Sequence, residues 1–223
     1  MSGNVLVLIG SPRHAKGTAC SIAAYLADRL RTRGVAAETA AILPAMRNVS
    51  EGAILLQRCA AAHRLILISP LYVDSLPAPV MAWMELYHAR RRAQSMPARQ
   101  AMGAIVHCGF PEASQNETAL GICEEFAAES GIDWMGGIPL GGVGALGGRP
   151  LERTGVMGRH LRRGLDLAAV AWAGGQPLAA DSVALASRPL MARWLYCLVG
   201  NMGFLAGALR NRTLGSIHAR PCE

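Results

Sequence analysis

The sequence is poor in aromatic residues and contains no paired cysteine motif. Phenylalanine, tryptophan and tyrosine make up 5% of its 223 residues. None of them is interleaved with the clusters of basic residues, as a nucleic-acid-binding platform would require. The six cysteines are scattered without a C-x-x-C pair, which argues against a disulfide framework or a zinc site. We therefore predict reduced thiols, no metal site and no nucleic-acid partner.

Targeting signals and long apolar runs are also lacking. The start, MSGNVLVLIG, has no basic region before its apolar stretch, so we predict no secretory signal and a cytoplasmic location. The uncharged run at 194–209, WLYCLVGNMGFLAGAL, is 16 residues long and is interrupted by glycines. A span across a bilayer needs about 20 residues.

The charge is unbalanced towards the basic side, with a formal net charge of +7 and a pI near 9.5. Basic residues cluster at 88–92 and 159–163. Such clusters can attract an anionic cofactor, nucleic acid or a membrane surface. We interpret them instead as solvated faces at helix ends, where cations complement the helix dipole.

Strand-like and helix-like segments alternate from residue 3 to about 172. The apolar runs predict strands at 4–9, 35–41, 64–69, 102–107 and 132–140. Helical periodicity predicts helices at 18–33, 50–62, 78–93, 115–130 and 154–172. Five such units favour a three-layer α/β sandwich around a parallel sheet of order 2-1-3-4-5. We predict one domain over 1–173 and a hydrophobic helical extension over 174–223.

The loop after the first predicted strand has the features of a phosphate site. Gly10-Ser11-Pro12-Arg13 leads through Lys16-Gly17-Thr18 into a helix, where backbone N–H groups and the helix dipole favour an anion. The loop is not a Walker A motif, because Ala15 and Gly17 occupy positions that require Gly and Ser or Thr. An ordinary strand-to-helix turn is the alternative for this loop taken alone.

Two further loops should lie at the same edge of the sheet, because ligands bind beyond the carboxyl ends of parallel strands. The segment from Ser69 to Pro79 contains three prolines and Tyr72, which can cover a flat ring. The segment from Cys108 to Glu112 offers a glycine for close backbone approach and Phe110 as an apolar surface. Cys108 has no visible His–Asp arrangement around it, and alternation in a strand directs the adjacent His107 to the other face.

A glycine-rich segment follows the last predicted strand. Gly141 to Gly148 contains a G-x-G-x-x-G spacing, but Arg149-Pro150 interrupts the entry to the next helix. The dinucleotide fingerprint requires that entry, with an acidic residue about 20 positions later. We interpret the segment as a flexible loop near a ligand or a partner subunit.

Together, the three loops resemble those of the flavodoxin-like, NAD(P)H-dependent FMN reductases over residues 3–172. The resemblance implies a flavodoxin-like three-layer sandwich that binds FMN. One departure is Gly17, where many members carry Asn or Ser, so a side-chain donor is lost and Lys16 is the candidate replacement. The implied cofactor-binding residues in the phosphate loop are Ser11, Arg13, Lys16, Gly17, Thr18 and Ala19; those in the ring-binding loops are Pro70, Leu71, Tyr72, Val73, Cys108, Gly109 and Phe110.

The resemblance implies hydride transfer from NADPH or NADH through FMN to a small acceptor such as a quinone, flavin, nitro or azo compound. No catalytic side chain is assigned, because the cofactor carries the chemistry. It also implies a homodimer. The alternatives are a flavodoxin-type electron carrier, which the charge of +7 disfavours, and a flavin-free interaction module. For the extension, packing on the domain or on a partner is preferred to contact with a membrane surface.

Overall fold

The computed structural model describes residues 3–12, 17–93, 99–216 and 219. Five strands form one parallel sheet of order β2-β1-β3-β4-β5, as predicted. The strands are β1 (Val5–Ile9), β2 (Ala37–Ala41), β3 (Arg64–Pro70), β4 (Ala101–His107) and β5 (Asp133–Leu140). The α-helices are α1 (Thr18–Arg31), α2 (Ile42–Ala45), α3 (Val49–Ala61), α4 (Ala78–Ala93), α5 (Glu117–Glu129), α6 (Arg159–Ala173), α7 (Ala180–Ala186) and α8 (Arg193–Arg210).

The sheet is covered on both faces, which explains why its central strands are apolar throughout. Alternate residues of β1 enter different cores: Val5 and Val7 pack towards α1 and α6, while Leu6 and Leu8 pack towards α3, α4 and α5. The three layers of the sandwich are therefore two sets of helices with the sheet between them.

Three helices depart most from the prediction: α6 begins later, and α2 and α7 were not predicted. The helix predicted from 154 begins at Arg159, because a short 3-10 helix at Leu151–Thr154 ends at Gly155, whose φ is +58°. The short helix α7 was not predicted, and it packs so closely on α6 that a Cβ on Gly164 would lie 2.5 Å from that of Ala186.

The chain divides into two compact units, Met1–Leu190 and Met191–Glu223. Residues 174–190, which the sequence analysis places in the extension, belong to the first unit. The Leu178 N–H donates to the Met135 carbonyl in β5 at 3.0 Å. The second unit consists of α8 followed by a 3-10 turn at Leu214–Ser216. Within the described ranges, no helix is both long and apolar enough to cross a membrane.

Candidate functional site

The loops that follow β1, β3, β4 and β5 meet around one cavity at the carboxyl edge of the sheet. Its volume is about 470 Å³, within the range of small-molecule sites. The strand order brings these loops together, since β1, β3, β4 and β5 are successive neighbours in the sheet. The lining residues are Ser11, Gly17, Thr18, Pro70, Leu71, Tyr72, His107, Cys108, Gly109, Val143, Gly144, Gly147 and Gly148.

One wall of this cavity is the N-terminus of α1. Gly17 is the N-cap residue and, having no side chain, provides no capping hydrogen bond. The first amides of a helix have no intrahelical acceptor, and they lie at the positive end of the helix dipole. Upstream, the Gly10 N–H donates to the Ile68 carbonyl at 2.8 Å, which holds the start of the loop on β3. The arrangement suits an anionic group such as a phosphate.

The loop after β3 forms a second wall. The Leu71 N–H donates to the His107 carbonyl at 2.8 Å, and Tyr72 and Ser75 exchange backbone hydrogen bonds of 2.8 and 3.0 Å across a tight turn. Val73 and Asp74 at the tip of this turn have φ values of +48° and +55°. A β-branched residue in that region is unusual. The turn presents Tyr72 to the cavity and leaves the side chain of Val73 98% exposed.

The loop after β4 is held against the end of β5 by backbone hydrogen bonds. Cys108 donates to Leu140 at 2.9 Å, Gly142 donates to Phe110 at 2.6 Å and Val143 donates to Cys108 at 3.2 Å. The side-chain amide of Asn116 is buried beneath this loop and donates to the Leu140 carbonyl at 3.2 Å. These contacts fix the backbone of the third wall.

Cys108 occupies this wall as a buried thiol. The Asn116 Nδ2 lies 3.4 Å from its Sγ, and the Sγ lies 3.5 Å from the Phe110 carbonyl oxygen. Burial raises the pKa of the Cys108 thiol, although the Asn116 hydrogen bond opposes the shift. A thiol with a raised pKa is a poor nucleophile at neutral pH. Burial in this wall therefore favours the neutral thiol of Cys108 over the thiolate.

His107 also lines the cavity, although strand alternation predicts that it points away from Cys108. The strand ends at His107, so the alternation no longer separates the two residues at the edge of the sheet. His107 is 7% exposed, and its Nε2 has no hydrogen-bond partner among the described residues. Burial lowers the pKa of the imidazole to about 4. His107 is thus a neutral, buried polar group at the border of the cavity.

Of the thirteen residues assigned from the resemblance, the structure brings eight to the cavity. Ala19 instead lies in the core and is fully buried, because it is on the inner face of α1. Val73 and Phe110 are outside the lining, and Phe110 is 58% exposed. Arg13 and Lys16 lie outside the described residues.

The assignment omitted five lining residues: His107, Val143, Gly144, Gly147 and Gly148. The four in the segment after β5 could have been found from the glycine-rich sequence together with the predicted strand order, which places the end of β5 beside that of β4. His107 could not have been predicted as a lining residue, because the alternation of side chains in a strand predicts that this last residue points away from the cavity.

A second cavity of about 730 Å³ lies beside the first and shares Ser11, Gly147 and Gly148 with it. It opens towards the end of β2, and the loops after β3 and β4 do not line it. It therefore lacks the wall formed by Tyr72. The described residues also contain no group of three or more His, Cys, Asp or Glu side chains arranged to hold a metal ion.

No protein-family model and no curated protein matches the sequence. Similar solved structures include general stress protein 14 from Treponema denticola in complex with FMN (14% identity, 77% of this chain and 98% of that chain, TM-score 0.53). The NADH:FMN oxidoreductase EmoB in its apo form has 14% identity over 81% of this chain and 93% of that chain (TM-score 0.53). The NAD(P)H:quinone oxidoreductase from Methanothermobacter marburgensis has 15% identity over 64% of this chain and 85% of that chain (TM-score 0.52).

These identities are too low to transfer a function, but the similar structures agree with the observed sheet order and its flanking helices. The chain has the flavodoxin-like fold.

Proposed function

We propose that this protein is an FMN-dependent oxidoreductase that passes electrons from NAD(P)H through FMN to a small acceptor. The observation that carries the proposal is the convergence of three independently predicted loops on one cavity of about 470 Å³. The similar solved structures include an FMN complex, an NADH:FMN oxidoreductase and an NAD(P)H:quinone oxidoreductase. The cavity and the similar structures both support electron transfer through a bound flavin.

The residues around the cavity fit FMN in the type of group that they offer. The N-terminus of α1, at Gly17 and Thr18, suits a phosphate. The side chains of Pro70, Leu71 and Tyr72 offer an apolar surface that suits a flat ring. His107 provides a polar atom that lacks a partner among the described residues, and buried polar groups normally have one.

Bound FMN would supply hydride acceptance and electron transfer. The contribution of this chain would be to bind and orient the cofactor. The first turn of α1 would hold its phosphate, Tyr72 would limit the access of water to one side of the ring, and the loop from Cys108 to Gly109 would contact the ring through its backbone. No side chain in this set needs to act as an acid or base.

The acceptor class is drawn from the resemblance: a quinone, flavin, nitro or azo compound. The alternative function, an electron carrier with protein partners, is disfavoured by the net charge of +7. Homodimerisation and a cytoplasmic location are further expectations. Light scattering of the purified protein tests the first, and fractionation of cells that express it tests the second.

The decisive experiment is an absorption spectrum of the protein purified without added flavin, followed by anaerobic addition of NADPH or NADH. We expect an FMN spectrum that either nucleotide bleaches and that a quinone restores. FMN that stays oxidised with both nucleotides would indicate a carrier. A protein that neither contains nor binds FMN would contradict every flavin-based function.

A matched pair of variants at the turn after β3 tests the placement of the ring. Tyr72→Ala should weaken FMN binding roughly tenfold, since an aromatic contact contributes about 1 kcal/mol beyond buried area. Val73→Ala changes the neighbouring residue, whose side chain is exposed and outside the cavity lining, and should leave FMN affinity unchanged. Fluorescence titration with FMN measures both, and an equal effect of the two changes would contradict the placement.

A further inference from the structure

The helix α8 carries a continuous apolar ridge on one face. Its large apolar residues recur at intervals of three or four positions, which places them on one side of a helix. Each of the ridge residues is between 47% and 69% exposed: Trp194, Leu198, Met202, Leu205 and Leu209. Exposed apolar patches of this kind mark interaction sites more often than isolated apolar residues do.

The side of α8 opposite the ridge contains Tyr196 and three glycines. Gly200, Gly203 and Gly207 recur at the same helical spacing, rotated away from the ridge. Phe204 also lies away from the ridge and is 63% exposed. The ridge is the longest row of large, exposed apolar side chains on α8, so its burial would remove much apolar area from water.

The charge of this region is entirely positive. The sequence from 182 to 222 contains no Asp or Glu. Arg193 and Arg210 bound the uncharged part of α8, Arg212 follows the helix, and all three are exposed. An apolar helix face with arginines at its ends suits an anionic lipid surface, where acyl chains take the ridge and headgroups take the cations.

A second copy of α8 fits less well as the occupant of the ridge. In an antiparallel pair, Arg193 of one copy would lie near Arg210 of the other, and neither segment contains a carboxylate to separate them. Like charges in such positions oppose association. A helix of 18 residues is about 27 Å long, which is enough to lie along a bilayer surface.

We propose that α8 binds the surface of membranes that contain anionic lipids, with the ridge inserted among the headgroups. The helix lies in the plane of the interface and does not cross the bilayer. This proposal is independent of the flavin proposal, because the residues on which it rests are not among those assigned to FMN binding.

The test is co-sedimentation of the full-length protein with phosphatidylcholine vesicles prepared with or without phosphatidylglycerol. We expect binding to the anionic vesicles that weakens about tenfold or more when salt is raised, because exposed charges are screened. No binding to anionic vesicles, or equal binding to both kinds of vesicle regardless of salt, would overturn the proposal.

Met202→Glu and Phe204→Glu form a matched pair for the orientation of the helix. The two residues are 62% and 63% exposed, and both variants add the same charge, but only Met202 lies on the ridge. Met202→Glu should weaken vesicle binding at least about tenfold more than Phe204→Glu, since it alone buries a carboxylate among the headgroups. Equal losses would contradict insertion of the ridge.

Light scattering of the same proteins without vesicles tests whether a second copy of the protein covers the ridge. We expect the oligomeric state of Met202→Glu to match that of the wild type, with circular dichroism confirming that both are folded. Dissociation of an oligomer by Met202→Glu but not by Phe204→Glu would show that a second copy covers the ridge and would overturn the membrane proposal.

Discussion

Gly17 provides the sharpest residue-level test of the phosphate site, because it caps α1 without a side chain. Its φ of −95° and ψ of 162° are accessible to other residues, and Asp and Asn are both favourable N-caps. Gly17→Asp should stabilise the protein, or leave it unchanged, by capping the helix. The same carboxylate should weaken FMN binding about 100-fold or more by repelling the phosphate.

Gly17→Asn is the matched control, since it has nearly the same shape without the charge. It should retain FMN binding at least as tight as the wild type, because its side chain restores a donor at this position. Thermal unfolding and FMN titration of the three proteins check both effects. Equal FMN affinity of the Asp and Asn variants would mean that no phosphate lies at this helix end.

At this scale, the sequence predicts residue types better than the direction of individual side chains. Tyr72 and Val73 are adjacent in the predicted ring-binding loop, yet only Tyr72 lines the cavity. The reason is the tight turn with positive φ at Val73 and Asp74, which the sequence does not indicate at Val73, because β-branched residues rarely adopt that conformation. The side chain of Ala19 likewise enters the core in the first turn of α1, which leaves only its backbone amide for the predicted contact with a phosphate.

At the scale of elements, the cavity depends on the close approach of the loop after β4 to the end of β5. A Cβ on Gly141 would lie 2.5 Å from the Pro111 carbonyl oxygen and 2.8 Å from the Ala113 nitrogen. Both are backbone atoms, so a larger residue must displace the loop. Gly141→Ala should lower the free energy of unfolding by about 2 kcal/mol and also weaken FMN binding.

Gly121→Ala is the control for this substitution. Gly121 lies within α5, and a Cβ there would meet no atom within 4 Å. Alanine should stabilise the helix by up to about 1 kcal/mol at such a position. Urea unfolding measures both variants, and destabilisation by Gly121→Ala, or none by Gly141→Ala, would contradict the packing described.

Most elements were predictable because their apolar patterns are simple. Strands buried on both faces read as uninterrupted apolar runs, as in 65–68, and long amphipathic helices repeat their pattern over several turns. The short helices α2 and α7 span four and seven residues, too few for a periodicity to appear. Their formation depends on tertiary packing, such as the contact of Ala186 with Gly164.

At the scale of the whole molecule, the rules of chain connection were enough to predict the sheet order. The sheet order in turn predicted only some of the residues that line the cavity. Neighbouring strand ends had to meet, so the three predicted loops had to converge. What no pattern specified is which buried polar group faces the cavity. His107 is neutral because the assembled fold buries its imidazole, and a local stretch of sequence does not predict that burial.

His107 also links the stability of the whole molecule to pH. The pKa of its imidazole is about 4 in the folded protein, below the ordinary value of 6.5 for an exposed histidine. Below about pH 6.5 the unfolded chain takes up a proton that the folded protein does not, so the unfolded state is favoured as pH falls. The free energy of unfolding should therefore decrease between pH 6.5 and 4, by up to about 3 kcal/mol from this residue.

His107→Gln removes the titration but keeps a polar side chain at the border of the cavity. Its unfolding free energy should therefore fall less steeply than that of the wild type over this pH interval, whatever the substitution costs at pH 7. Urea unfolding of both proteins at several pH values, without added flavin, measures the difference. Parallel profiles would contradict a neutral, buried His107. A convergence of the two profiles towards acid pH would show that burying this imidazole beside the cavity has a cost that depends on pH.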